Sequence, residues 1–229
     1  MINKDFSFGS TTNPFLMTKS VADQLACAMG RKDEAPNIAL AEKIVKNSDA
    51  EAVKELVALA NDNKAAIRHD AIKVLYELGD RKPELIIPYK KNFLNLFQHH
   101  DNWMKWGAMS ALFSICNSKP DLLVEHLTEI VDAMDSGSVI TRDHGIYILC
   151  KVSTLKKHHG DCMELLLEQI EKAPVNQVPM YAEKMMEVIS APYIKKLEKI
   201  LRSRKDVMEI PSKQKRIEKI LKKIGNGQK

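Results

Sequence analysis

With 229 residues, 45% of them apolar, the chain can bury a core and is sized for one or two domains. No apolar run approaches the roughly 20 residues that cross a bilayer, and the polar, acid-bearing start Met1 to Asp5 lacks the apolar stretch of a secretory leader, so a soluble, cytoplasmic protein is expected. The net charge of +5 is uneven: residues 195–229 hold 13 Lys/Arg against 4 Asp/Glu, leaving 22 against 26 for the first 194, so the basic character belongs to the tail.

Residues 1–17, with Phe6, Phe8, Phe15 and Leu16 set among Gly, Ser, Thr and Asn, read as an irregular arm whose rings cover the open end of the first structural unit. Residues 18–29 read as a short helix closed by Gly30, and residues 31–34 as a turn before Pro36. From there two kinds of helix alternate. Inner helices are expected at 37–46, 64–78, 102–117, 139–153 and 178–189, and outer helices at 49–61, 83–98, 120–134 and 161–172. Ser48 with Glu51 three residues on has the form of a capping box, and Pro83 and Pro120 stand in first turns, where a missing N–H has no intrahelical partner to lose. A last pair, 192–204 and 212–224, is divided by Pro211, and its second member sets Ile217, Ile220, Leu221 and Ile224 along one face. Connections of two to eight residues suit antiparallel neighbours. With nine thinly spread glycines and no long alternating Val/Ile/Thr run, the expected class is all-α.

The inner helices repeat. Four 12-residue windows, 67–78, 104–115, 141–152 and 178–189, follow at intervals of 37 residues. Ala71, Ala108, Gly145 and Ala182 share one column, Leu75, Leu112, Leu149 and Met186 a second, and Leu78, Ile115, Val152 and Ile189 a third. A small residue, a large apolar one four later and another three beyond lie on one helix face, and a fixed period of this length is the mark of stacked helical units. The run Ile67-Arg68-x-Asp70-Ala71-x-x-x-Leu75-x-x-Leu78 resembles the second-helix signature of HEAT repeats; the likeness extends over residues 37–189 and is clearest in 49–117. It implies one all-α domain: a right-handed α-solenoid of about five HEAT-like antiparallel helix pairs whose second helices line a concave surface for proteins, peptides or, in some branches, nucleic acid. The expected division is an N-terminal arm and capping helix (1–35), the repeats (36–190) and a basic capping helix pair (191–229). In the fourth unit Pro179 replaces the basic residue of the opening pair.

Residues 69, 73 and 76 point away from the core columns at 100° per residue. Carried along the period, they give His69, Lys73 and Tyr76, then Trp106, Ser110 and Phe113, then Asp143, Tyr147 and Cys150, then Met180, Lys184 and Glu187. Large rings here read in one of two ways. Tyr76, Trp106, Phe113 and Tyr147, with His69 and Lys73, form a contact strip for a partner, because aromatic residues dominate binding hot spots; or they pack against one another inside a tight curl. Arg68, Lys105 and Arg142 make a basic ladder that either takes phosphates and carboxylates of a partner or bonds loop carbonyls and acids such as Asp70 and Asp101. The tail lysines, in turn, either neutralise phosphates or form the solvated face of a cap.

No catalytic motif accompanies these features, and no cofactor is expected. The clusters His99-His100-Asp101 and His158-His159-x-Asp161-Cys162 lie in turns leading into helices, where Asp is expected as an N-cap, and supply too few ligands on a scaffold for zinc. Cys27, Cys116, Cys150 and Cys162 include no CxxC pair and read as reduced thiols. The chain is also similar in length, helical stacking and charge to HEAT-fold alkylpurine DNA glycosylases, which implies tryptophans and an aspartate one turn apart; here Gly107 and Ser110 follow Trp103 and Trp106 at that spacing, leaving Asp143 as the nearest substitute. The leading reading is therefore a non-catalytic scaffold for a protein or peptide, and the alternative is nucleic-acid binding through the ladder and tail.

Overall fold

The computed structural model describes residues 20–227, so the expected phenylalanine arm lies outside the described residues. Eleven α-helices and no strand occur among them. One row consists of α1 (Ala35–Asn47), α3 (Ala65–Arg81), α5 (Asn102–Ser118), α7 (Val139–Val152), α9 (Val178–Met185) and α11 (Pro211–Gly227), each packed on the one before. Behind it lie α2 (Ala50–Leu59), α4 (Lys90–Asn95), α6 (Leu127–Ser136), α8 (His159–Lys172) and α10 (Ala191–Asp206), each packed on the inner helix that follows. The two rows thus form five antiparallel pairs behind a leading helix. The basic pair α10 and α11 continues the alternation, with α10 on α8 and α11 on α9.

The repeat columns lie where successive inner helices meet. Ala71, Ala108, Gly145 and Ala182 are buried, as are Leu75, Leu112 and Leu149 and then Leu78, Ile115 and Val152. Small side chains at every crossing let neighbouring helices approach, and the larger ones fill the space between rows. Met186 and Ile189 are only partly buried, because α9 ends at Met185 and the chain passes into turns. One apolar cluster runs the length of the stack, from Val21 to Ile224.

Several outer segments differ from expectation, each for a local reason. The helix expected at 18–29 is, among its described residues, a 3₁₀ turn, Ala22–Gln24, followed by turns to Gly30 at φ 68. Four of its N–H groups are taken by side chains: Ala22 N donates to Glu55 Oε1 (3.3 Å), Asp23 N to Ser20 Oγ (3.2 Å), Ala26 N to Asn37 Oδ1 (3.0 Å) and Cys27 N to Asp70 Oδ2 (2.7 Å). The segment 83–98 is four short pieces, Pro83–Leu85, Ile87–Tyr89, α4 and Leu96–Gln98, because Pro88 lacks an N–H and its ring collides with the carbonyl one turn back. Pro120–His126 is 3₁₀, and Lys90 Nζ takes the Leu122 carbonyl (2.8 Å). The cap of α2 is Asp49, whose side chain accepts from Ala52 N, while Ser48 is the left-handed C-cap of α1 (φ 51). Asp161 falls inside the first turn of α8, which begins two residues earlier than expected.

Candidate functional site

The inner face is the side of α3, α5, α7 and α9 turned away from the outer row. On it, Tyr76, Trp106, Phe113 and Tyr147 are all half-buried and fall into two ring groups. Tyr76 lies against Trp106 with centroids 5.5 Å apart, and Phe113 against Tyr147 at 5.4 Å. His69 belongs to the first group through Trp103, on which it stacks at 5.1 Å, and Trp103 in turn meets Trp106 at 5.2 Å. His144 joins the second group, edge-on to Phe113 at 5.6 Å, and the Tyr147 hydroxyl reaches Met180 Sδ (3.7 Å). The rings pack mutually and remain partly open to solvent.

Trp103 is the most open ring of the strip at 39% exposure, and the sequence reading passed over it as a site residue. Val139 and Ile140, 43% and 45% exposed, extend the apolar edge on α7. The signal was present in the repeat: Ile140 follows Trp103 by one 37-residue period, at the opening of an inner helix where a polar residue is the ordinary choice. His144 stands three residues before Tyr147, the spacing at which side chains of one helix meet.

Polar contacts fix the first group. Asp101 caps α5, accepting from Trp103 N (2.9 Å), and takes His69 Nε2 on its other oxygen (2.5 Å). Burial pushes the Asp101 carboxyl up, but His69, the Trp103 N–H and His99 outweigh it and hold the group below the usual carboxylate range. Lys73 is buried, paired with Glu34 (2.7 Å) and Glu77 (2.8 Å), and sits 4.7 Å from the centre of the Tyr76 ring. Burial alone lowers its pKa, yet the two glutamates raise it overall, so the ammonium is permanently charged and committed to its neighbours. A cleft of about 290 Å³ opens beside these groups, lined among others by Cys27, Glu34, His69, Lys73 and Trp103.

In the basic ladder, Arg68 Nη1 donates to the carbonyls of Asp62 (2.8 Å) and Asn63 (3.0 Å), and Arg142 donates to the Met134 carbonyl (3.3 and 3.2 Å). Lys105 is half-buried without a hydrogen bond or ion pair among the described residues. Asp70 is taken up by Cys27 N and Asn37, and Asp143 by the Tyr181 hydroxyl (2.6 Å). No group of three or more His, Cys, Asp or Glu side chains converges among the described residues. His159 ties two turns together, Nδ1 donating to the Ser153 carbonyl (2.9 Å) and Nε2 accepting from the Ser190 hydroxyl (2.8 Å). All four thiols are free; burial pushes Cys116, Cys150 and Cys162 to about 12, and burial with the adjacent Asp70 carboxylate pushes Cys27 to about 11. No helix among the described residues is long and apolar enough to cross a membrane.

No protein-family model matches the chain, and no curated protein matches it in sequence. Solved structures do match. A designed armadillo repeat protein in complex with the peptide (KR)4 superposes with a TM-score of 0.58 at 15% identity, covering 80% of this chain and 84% of that one. Computationally designed armadillo repeat proteins for modular peptide recognition give 0.57 at 14% identity over 88% and 97%. A further designed armadillo repeat protein gives 0.56 at 14% identity over 89% and 98%. The fold is an armadillo- and HEAT-like α-solenoid. The likeness is one of backbone, and the ring strip of this solenoid is described from its own residues.

Proposed function

We propose that this solenoid is a non-catalytic, cytoplasmic scaffold of one domain that binds a protein or peptide segment along a concave inner face. The observation that carries the reading is the strip itself. Tyr76, Trp106, Phe113 and Tyr147, with His69 and Lys73 beside them and Trp103 at the edge, place half-open rings on three successive inner helices. Such rings offer large contact area with little rotamer entropy to lose. A designed armadillo repeat protein similar in fold is held with a peptide, which supports a peptide partner here. Four free thiols, three of them buried, support a reducing compartment. The carboxylate a glycosylase needs is engaged: Asp101 caps α5, and Asp143 accepts from Tyr181.

The two tryptophans of the chain, Trp103 and Trp106, both sit on the strip, so their fluorescence reports on it alone. Peptides selected by display against the full chain are expected to shift that emission, and Trp106→Ala is expected to weaken them at least tenfold, the loss of a ring anchor costing about 2 kcal/mol. Selected peptides that leave the emission and the Trp106→Ala affinity unchanged would place the binding surface elsewhere.

A further inference from the structure

We propose that the inner face takes its partner in one register, with apolar side chains of an extended segment over the rings of α5 and α7 and a cluster of acidic residues of the same segment on four lysines of α11. This rests on the binding reading above and adds the chemistry of the partner.

The lysines are Lys215, Lys219, Lys222 and Lys223, and all four are exposed. Ile217, Ile220 and Ile224 turn the other side of α11 into the core. At 100° per residue the four cations fall within an arc of about 100° on the open side of the helix. Glu218, the one acid in α11, lies outside the arc and is held by Lys205 (2.7 Å). Among the described residues none of the four has an ion pair or hydrogen bond. Several cations on the other inner helices are committed: Lys73 to Glu34 and Glu77, Lys184 to Glu187 (3.0 Å), Arg68 to the loop carbonyls of Asp62 and Asn63, and Arg142 to the Met134 carbonyl in α6, while Lys105 of α5 lies about 120° around its helix from the rings. Arg216 is taken by Glu183 (2.8 Å). That contact, aided by Lys213 and Lys223, holds the Glu183 carboxyl below its usual range.

The inner face of α5, by contrast, presents Trp103, Trp106, Ser110 and Phe113 and no charge. The face is therefore polar along its length, uncharged rings giving way to free cations. Inner helices stand about 8–10 Å apart, so three steps from α5 to α11 span about 24–30 Å, the reach of roughly seven to nine extended residues. Carboxylates suit the cationic end better than a nucleic acid does. α11 has no aromatic residue on which a base can stack. The first 194 residues carry net −4 and repel a polyanion laid along the whole molecule, while a short acidic cluster at one end meets only the +9 region.

The probes are two fluorescein-labelled 18-residue peptides, each with a Trp-Leu-Phe cluster eight residues from a block of six Glu or, in the control, six Gln; a 20-nucleotide single-stranded DNA is the third. Anisotropy is read against the full chain at 50 and 300 mM NaCl. The Glu peptide is expected to bind about tenfold or more tightly than the Gln peptide at low salt, with the gap closing at high salt. The quadruple variant K215Q/K219Q/K222Q/K223Q, its folding checked by circular dichroism, is expected to erase that gap. Equal binding of the two peptides, a quadruple variant that keeps the gap, or DNA binding that is tighter than the Glu peptide and lost in the quadruple variant would each overturn the proposal. Ring-dependent binding without lysine dependence sinks this inference and spares the strip, whereas lysine-dependent binding that survives Trp106→Ala sinks the strip and spares the cationic site.

Discussion

Gly107 shows how tightly the inner row is drawn together. A Cβ there would lie 2.6 Å from Ile72 Cγ1 and 3.2 Å from its Cγ2, and Ile72 is fully buried on α3 with a β-branched side chain that has little room to turn. Two effects compete when alanine is introduced. The helical preference for Ala over Gly favours the variant by about 1 kcal/mol, and overpacking opposes it by about 1–3 kcal/mol. Because Gly107 is buried against a neighbouring helix, overpacking is expected to win, and Gly107→Ala should lower the urea midpoint. A midpoint that rises would mean that α3 and α5 slide apart at no cost. The repeat pattern pointed at the adjacent Ala108 column, but the need for glycine at 107 depends on which rotamer Ile72 adopts across the interface, and no spacing in the chain encodes that.

At the scale of an element, α5 carries the first ring group, and its start is set by Asp101. One oxygen of that side chain holds Trp103 N and the other holds His69, so the cap of one helix also fixes a ring on another. Asp101→Ala is expected to cost about 1–2 kcal/mol in chemical denaturation through loss of the cap, and Asp101→Asn to recover most of it, since the amide oxygen still accepts from the helix N–H. Equal losses in both variants would show that the His69 contact, and not the cap, carries the effect. The N-cap role of Asp101 was legible from its place before a helical run. The outer segment 83–98 was not read correctly as a single helix: Pro83 was recognised as tolerable in a first turn, but Pro88, five residues on, interrupts the hydrogen bonding and leaves only Lys90–Asn95 in α form.

For the molecule as a whole, acidity tests the contacts that join its units. Hydrogen bonding to Arg216 on α11 holds Glu183 of α9 below its usual range. Glu77 is raised by burial but lowered overall by Lys73 and Arg81, and Asp101 is likewise low. A carboxylate depressed in the folded chain contributes stability above its ordinary pKa of 4.5 or 3.8, and that contribution is lost as pH falls through the folded value. Burial, with His100 and Arg68 nearby, also holds His99 below its ordinary 6.5, so protonation favours the unfolded chain as pH drops past that point. The urea midpoint is therefore expected to decline gently below pH 7 and steeply below about 4.5, with Glu183→Gln flattening the acid limb. An acid limb unchanged in Glu183→Gln would mean that this pair contributes nothing to joining α9 and α11.

The sequence by itself determined the all-α class, the alternation of two helix rows and the columns that lock them. A 37-residue period of apolar and small positions can be buried only if like faces meet like faces, so the pattern and the stack are one constraint. It also placed Tyr76, Trp106, Phe113 and Tyr147 on a common side. Only the tertiary structure decided which ring meets which, that Trp103 and His144 complete the two groups, that Lys73 is held by its own glutamates, and that Lys215, Lys219, Lys222 and Lys223 of α11 make no ion pair among the described residues. Those outcomes depend on the offset between neighbouring helices and on side-chain rotamers, which bring together residues some 30 positions apart, and helical periodicity fixes a residue's face without fixing its neighbour across the gap.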